Sequence, residues 1–478
     1  MSILCNVKFV DLPTDICLNV ISNWMLLEDL CHYDSSICNK EQRNIFLALI
    51  GSKPFSIIGT NSKSYSRLKF EDYIEWIALK LIKVRTLYLF RYNQICVGSL
   101  IHNFEQIKKL ELVYVTGSLD CITEILTTIN NCKLLNDLTI YDVVCFNDFF
   151  EYINGNILFN LLKLKIYSSR FIPIGVQIAR RVAEFCSRLV NLHMFDDSEE
   201  MVPGFVIQLV GILNANPHLL CIVLEHINLD DSVLSAISLT CKQVQRVCLS
   251  RSSKVTLGAM LDIRDNCVAL TSFHFNWLRL DLDQDKHLDV LRTFRILKLN
   301  DVSMVRVSDN LSLSSFSFNR VTEMFITKLI LKRVPITSRI IYSIARNSPN
   351  LELLCIRYCR RYCGDFFSLQ SMLELAWGCL HLSHLHLGSC YQLSPQDLVK
   401  IFIECNVSLQ VVSIADNAFI TSEDIVNIIN NCHKVEEVCL VNCELISPLL
   451  VENTFHCDDE NCDCQYECSF HDGLGFRD

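Results

Sequence analysis

Glycine and proline are scarce in this chain of 478 residues, at 14 and 9. So few backbone breakers exclude collagen-like and linker-rich architectures. With half the residues hydrophobic and a fifth charged, the chain is expected to be ordered through most of its length. Positive charge is also short: 43 Lys and Arg against 53 Asp and Glu leave a net charge of −10. That is the wrong sign for a protein whose main task is to neutralise nucleic-acid phosphates. No apolar run approaches the roughly 18 residues of a membrane span, and the opening "MSILCNVKFVDLPTD" lacks the basic-then-apolar order of an export signal. The expectation is a cytoplasmic or nuclear protein with neither nucleic acid nor membrane as partner. A Gly-rich phosphate loop, G-x-S-x-G and H-E-x-x-H are missing too. The chain is therefore read as a non-enzyme that needs no cofactor.

What the chain has in excess is cysteine, 26 residues of it. In a short secreted protein that would mean a disulfide scaffold, but in a long chain with no export signal the cysteines read as free thiols. Their number is explained by a repeat. Near the C-terminus "LELLCIRYC" (from Leu351), "LSHLHLGSC" (Leu382), "LQVVSIADN" (Leu409) and "VEEVCLVNC" (Val435) align directly, with apolar residues at offsets 0, 3 and 5 and Cys or Asn at offset 8. Weaker copies start at Val84, Ile107, Leu135, Leu161, Leu189, Leu219, Val244, Leu270, Phe294 and Ile326, making fourteen with a mean step of 27 residues. The longest steps follow Phe294 and Leu351, where insertions are expected.

Offsets 3 and 5 are two apart, so both side chains point to one face of a short strand while offset 4 points to the other. A turn and a 3.6-period stretch such as "TSEDIVNIINNC" then return the chain, with Thr421 or Ser422 placed to cap a helix whose first turn carries Glu423 and Asp424. Stacked strand–helix units bury one continuous core. Cys132, Cys186, Cys241, Cys267, Cys379 and Cys432 each stand three residues before a repeat start, and Cys359, Cys390 and Cys443 stand at offset 8. A small, weakly polar thiol suits a tight interior corner, so packing is their expected role.

The pattern L-x-x-L-x-L-x-x-C with a following helix resembles the cysteine-containing leucine-rich repeat family, over about residues 84–450. The resemblance implies an α/β fold: a right-handed leucine-rich repeat solenoid, or horseshoe, with a parallel concave sheet. Ahead of the repeats, Pro13 breaks the chain, and "ICLNVISNW" sets Ile16, Val20, Ile21 and Trp24 at helical spacing. "LLEDLCHYD" and "ICNKEQRNIFLALI" read as two further helices. This stretch is similar to an F-box, the adaptor-binding module at the front of many such repeat proteins. The matching residues Leu12, Pro13, Asp15, Ile16, Val20, Ile21 and Leu30 are the adaptor-binding set the resemblance implies. The expected organisation is an F-box-like helical module at 8–50, a polar loop and capping helix at 51–83, repeats at 84–450 and an acidic Cys-rich tail at 451–478. Trp76 of the capping helix reads as a core residue or a recognition residue.

Residues at offsets 2, 4, 6 and 7 line the open strand face. Offset 6 supplies Phe90, Tyr141, Tyr167 and Phe195, and Arg251, His274, Trp277, Arg357 and Tyr358 extend the same face. Aromatic rings with a polar tip suit a protein-binding surface, although they also serve to cover strand edges. His193 and Asp196 are read on this face as well. In the tail, His456, Cys457, Cys462, Cys464, Cys468 and His471 fall close together. Their spacing matches no standard zinc knuckle, which leaves a solvated acidic tail as the main reading and zinc as the alternative. The resemblance implies the substrate-recognition subunit of a cullin-type ubiquitin ligase, a monomer within a complex with an SKP-type adaptor, holding an unidentified protein substrate. The alternative is a repeat scaffold for protein–protein interaction with no link to a ligase.

Overall fold

The computed structural model describes residues 27–37, 40–52, 55–57, 76, 79–80, 84–90, 105–113, 119–142, 146–168, 174–196, 204–250, 255–276, 279–280, 296–300, 303–304, 327–332, 336, 338–357 and 367–447. They fall into two compact units, Met1–Asn228 with Ser235–Val244, and Leu229–Leu234 with Gln245–Asp478. In the first, β1 (Phe55–Ile57), β2 (Val84–Phe90), β3 (Lys109–Val113), β4 (Asp137–Tyr141), β5 (Lys163–Ser168), β6 (Asn191–Asp196) and β7 (Cys221–Glu225) pair in sequence order, every pair parallel. In the second, the strands are β8 (Arg246–Ser250), β9 (Ser272–Asn276), β10 (Arg279–Leu280), β11 (Ile296–Asn300), β12 (Ser303–Met304), β13 (Lys328–Lys332), β14 (Leu353–Arg357), β15 (His384–Gly388), β16 (Val411–Ala415) and β17 (Glu437–Val441). Eight of these form a parallel sheet in sequence order, while β10 and β12, which follow β9 and β11, pair with each other.

From β3 onward, apart from the β10–β12 pair, each strand occupies offsets 2 to 6 of one repeat frame, with β5 and β6 one residue longer, and laterally paired residues share an offset. Leu110, Leu138, Leu164, Leu192 and Ile222 form one ladder at offset 3. Leu329, Leu354, Leu385, Val412 and Val438 form its counterpart in the second unit. All ten side chains are buried. Each unit is a leucine-rich-repeat-like stack of strands and helices. The first strand was not expected: β1 falls in the stretch read as a polar loop, where Phe55 and Ile57 alternate and pair with the free edge of β2. An open parallel edge recruits any short run with period-two apolar residues.

The helices follow local capping rules. Ser368, Ser394 and Thr421 close capping boxes on Leu369–Gly378, Pro395–Glu404 and Ser422–Asn431. In the last of these, Thr421 Oγ1 accepts from the Asp424 N–H while the Asp424 carboxylate accepts from the Thr421 N–H. Gly378 is required by close helix approach, since a Cβ there would lie 2.2 Å from the Ala345 carbonyl oxygen.

The last carbonyls of each helix face a corner where the chain turns back to the sheet. Cys379 donates its S–H to the Ser348 carbonyl (3.4 Å) and Cys432 donates to that of Phe402 (3.4 Å), each one repeat back. Burial pushes the Cys132, Cys186 and Cys379 thiols up to about 12. They are therefore protonated donors rather than nucleophiles. Asn216 occupies the same corner slot, three residues before Leu219. Its Nδ2 donates to the Cys186 carbonyl (2.6 Å) and the Ile212 carbonyl (2.8 Å), and its Oδ1 accepts from the Leu189 N–H (2.8 Å), with the residue fully buried.

At the N-terminal end, helices Leu27–Ser36 and Lys40–Ser52 carry Asp34 and Arg43. Asp34 is 1% exposed, accepts two hydrogen bonds from Arg43 (2.7 and 2.8 Å) and one from Trp76 Nε1 (3.0 Å). Trp76 is thus tied into the chain through its indole N–H, half-buried. The Arg43 hydrogen bonds hold the Asp34 carboxyl below its ordinary value despite burial, with Trp76 adding to the effect.

Two outcomes follow from these contacts. Asn216→Ala leaves the Leu189 N–H and the Cys186 carbonyl buried without partners and should lower stability by about 2–3 kcal/mol, read as a reduced urea midpoint at unchanged slope. Because the folded-state value of Asp34 is depressed, its stabilisation is complete above the unfolded value near 4 and is lost as pH falls through the folded one. Asp34→Asn should remove that part of the acid dependence in a series of thermal melts between neutral and acid pH.

Candidate functional site

Tyr141, Tyr167 and Phe195 sit at offset 6 of β4, β5 and β6, so the shared register sets them side by side. Tyr141 and Tyr167 stack with ring centroids 5.3 Å apart and planes 24° apart, and Tyr167 and Phe195 follow at 6.2 Å. His226 extends the row, its ring 4.7 Å from that of Phe195. It does so because its backbone turns left-handed just past β7, at φ 60°. The members of the row are half-buried, which leaves their outer edges available.

Below the row a relay of polar groups fixes the centre. Tyr167 Oη lies 3.0 Å from His193 Nδ1, and His193 Nε2 lies 3.4 Å from Glu225 Oε2. A carboxylate can only accept, so in the neutral imidazole Nε2 carries the proton and Nδ1 accepts from the tyrosine O–H. Burial, with Glu225 and Glu111 nearby, pushes the Tyr167 phenol up to about 12, so it stays protonated. Offsets 2 and 4 of β3 to β5 carry mixed charge. Lys109 and Glu111 pair at 2.9 Å, while Asp137, raised by burial against the pull of Lys109, Lys163 and Lys165, lies between them and β5. The surface is an aromatic row above a polar, charge-balanced floor, suited to a partner with apolar and polar groups in alternation.

The remaining expected residues are placed differently. Arg357 was expected on the open face but is 5% exposed, and its Nε and Nη2 have no hydrogen-bond partner. Gly388, its neighbour at offset 6 of β15, has no side chain, and the Arg357 stem lies across the gap, with Cγ 2.9 Å from where a Cβ would stand. Asp196 also turns inward and accepts from the Ile174 N–H at 3.1 Å, so it braces a loop. His274 is half-buried on β9, its Nε2 3.0 Å from Ser272 Oγ. Leu30 is 7% exposed and packs within the chain. The side chain of Phe90, and all of Leu12, Pro13, Asp15, Ile16, Val20, Ile21, Arg251, Trp277 and Tyr358, lie outside the described residues, as do the Cys and His of the tail.

Glu225 and His226 belong to the site although neither was expected there. Glu225 carried a signal, since it stands at offset 6 of the repeat from Leu219, in line with the aromatic residues. His226 depends on a left-handed turn that no local pattern announces. Among the described residues no group of His, Cys, Asp or Glu is arranged to hold a metal ion.

No protein-family model matches the chain, and no curated protein matches it. Among solved structures, the chain is similar to one described as the crystal structure of the Rad7 and Elc1 complex in yeast, at 11% sequence identity and a TM-score of 0.41, over 80% of this chain and 85% of that one.

The relay gives a spectroscopic test. In tyrosine-labelled carbon NMR the Tyr167 ring should keep its protonated shift to beyond about pH 11, whereas ordinary tyrosines titrate near 10. Tyr167→Phe identifies the resonance, and Glu225→Gln should move its titration downward.

Proposed function

We propose that this chain is the substrate-recognition subunit of a cullin-type ubiquitin ligase, with a protein substrate held on the strand face of the first unit. The observation that carries the binding half is the aromatic row Tyr141, Tyr167, Phe195 and His226, half-buried and held at its centre by His193 and Glu225. Rings fixed in advance lose little conformational freedom on binding, which is why such groups dominate protein interfaces. The ligase half rests on the F-box resemblance of Leu12, Pro13, Asp15, Ile16, Val20, Ile21 and Leu30. In this reading those helices dock on an SKP-type adaptor. The chain itself does no bond chemistry. It raises the effective concentration of a substrate beside a conjugating enzyme.

Leu30 is buried within the chain, so in this reading adaptor contact falls to the other six residues. The alternative is an interaction scaffold in which the same helices only cap the repeats. The bond set from Asp34 to Arg43 and Trp76 favours it, because this links the helices to the segment that leads into the first repeat.

The two halves are separable. Tyr141→Ser with Tyr167→Ser should abolish cross-linking of a substrate to a photo-reactive residue placed at Lys163, exposed at the start of β5, and leave co-purification with the adaptor intact. Pro13→Ala with Ile16→Asp should do the reverse. Unchanged cross-linking in the tyrosine variant sinks the binding surface. A folded wild-type chain that never co-purifies with adaptor sinks the ligase link and leaves the scaffold.

A further inference from the structure

The last three repeats of the second unit expose one large apolar residue each where the strand gives way to the following turn. Tyr391 follows β15, Phe419 follows β16 and Leu445 follows β17, at 71%, 67% and 55% exposure. They are presented on a braced backbone. Ser389, Asp416 and Asn442 each turn left-handed at φ 53°, 51° and 53°, directly after their strands. The Asp416 carboxylate accepts from Ser389 Oγ (3.0 Å) and from Asn442 Nδ2 (2.8 Å), tying the three turns together. The Ser389 and Asp416 N–H groups donate to the carbonyls of Ala415 and Val441 in the next strand (2.9 and 2.8 Å). Asn417 Oδ1 accepts from the N–H groups of both Phe419 and Ile420 at 3.0 Å.

Charge around this rim is of one sign. Across residues 388–397, 415–424 and 441–447 stand Asp397, Asp416, Glu423, Asp424 and Glu444, with no Lys, Arg or His. We propose that the rim is a docking surface for a basic amphipathic helix of a partner protein. Its apolar residues would seat on Tyr391, Phe419 and Leu445, with lysines and arginines facing the carboxylates. The spacing fits. Parallel strands repeat at about 4.8 Å, and three or four residues of an α-helix advance roughly 4.5–6 Å, so an apolar i, i+4, i+7 series meets one anchor per repeat. The charge excludes the other occupants: nucleic acid and anionic membrane are repelled, as is this chain's own segment beyond Ser447, which carries Asp458, Asp459 and Glu460. The inference uses the second unit alone and stands whether or not the aromatic row of the first unit binds a substrate.

The probe is a synthetic helix of about five turns with leucine at i, i+4 and i+7 and lysine on the other face, fluorescently labelled and titrated with the full chain. Anisotropy should report binding that weakens with salt. Phe419→Asp should weaken it by at least about tenfold. Glu423→Lys with Glu444→Lys should weaken it and flatten the salt dependence. Tyr152→Asp, an exposed aromatic (67%) of the first unit, should change nothing. Circular-dichroism melts confirm that each variant is folded. No binding of the patterned helix, or equal binding of a scrambled peptide of the same composition, overturns the proposal, as does an unchanged affinity in folded Phe419→Asp.

Discussion

No single repeat of this chain can bury its own apolar strand positions, and the equal-offset pairing of neighbouring strands is the constraint from which the rest follows. Leu138 is covered only because Leu110 and Leu164 stand at the same offset on either side. A slip of one residue would turn that ladder to the outside and bring Thr139 and Lys165 into the core. The same register governs the outward positions. Tyr141, Tyr167 and Phe195 align for the same reason that the leucines do, so the aromatic row is a by-product of the core's demand for alignment.

Corners are the second demand. Where a helix ends against the next strand, carbonyls are left without partners in the interior, and each repeat must supply a small donor. Cysteine meets this need in Cys379 and Cys432, and Asn216 meets it with two donors and an acceptor. A thiol in such a slot is held protonated by burial. The corner cysteines therefore answer a geometric requirement repeated from one unit to the next.

Features of period two or of fixed offset could be read from the amino-acid order. The strands appear where the apolar pairs at offsets 3 and 5 place them, and the corner cysteines lie where the frame puts them. Features that depend on what a neighbouring repeat lacks could not be read. Arg357 is buried because Gly388 stands beside it, and His226 joins the aromatic row because of a left-handed turn. β1 forms because β2 has a free edge, which is a property of the sheet and not of "PFSII". Asp196 sits at an outward-looking position and turns in to hold the Ile174 N–H. In each case the deciding atom belongs to another segment.

The two units show how side-chain size on the outward offsets governs what a strand face can do. On β3 to β6 the outward residues include Lys109, Glu111, Lys165, Tyr167 and Phe195, long or broad groups that rise above the backbone and stay half-exposed. On β14 to β16 they include Cys355, Ser413 and Ala415, exposed by 2%, 1% and 3%, and the longer His386 and Arg357 beside them are buried as well, at 4% and 5%. A short side chain between parallel strands less than about 5 Å apart is shielded by its lateral neighbours, and such a face offers a partner little to grip. In that unit Tyr391, Phe419 and Leu445 stand exposed on turns that the bonds of Asp416 to Ser389 and Asn442 tie together. Recognition by a repeat array therefore need not stay on its strands: where those residues are buried, the turns after them become the better-presented surface.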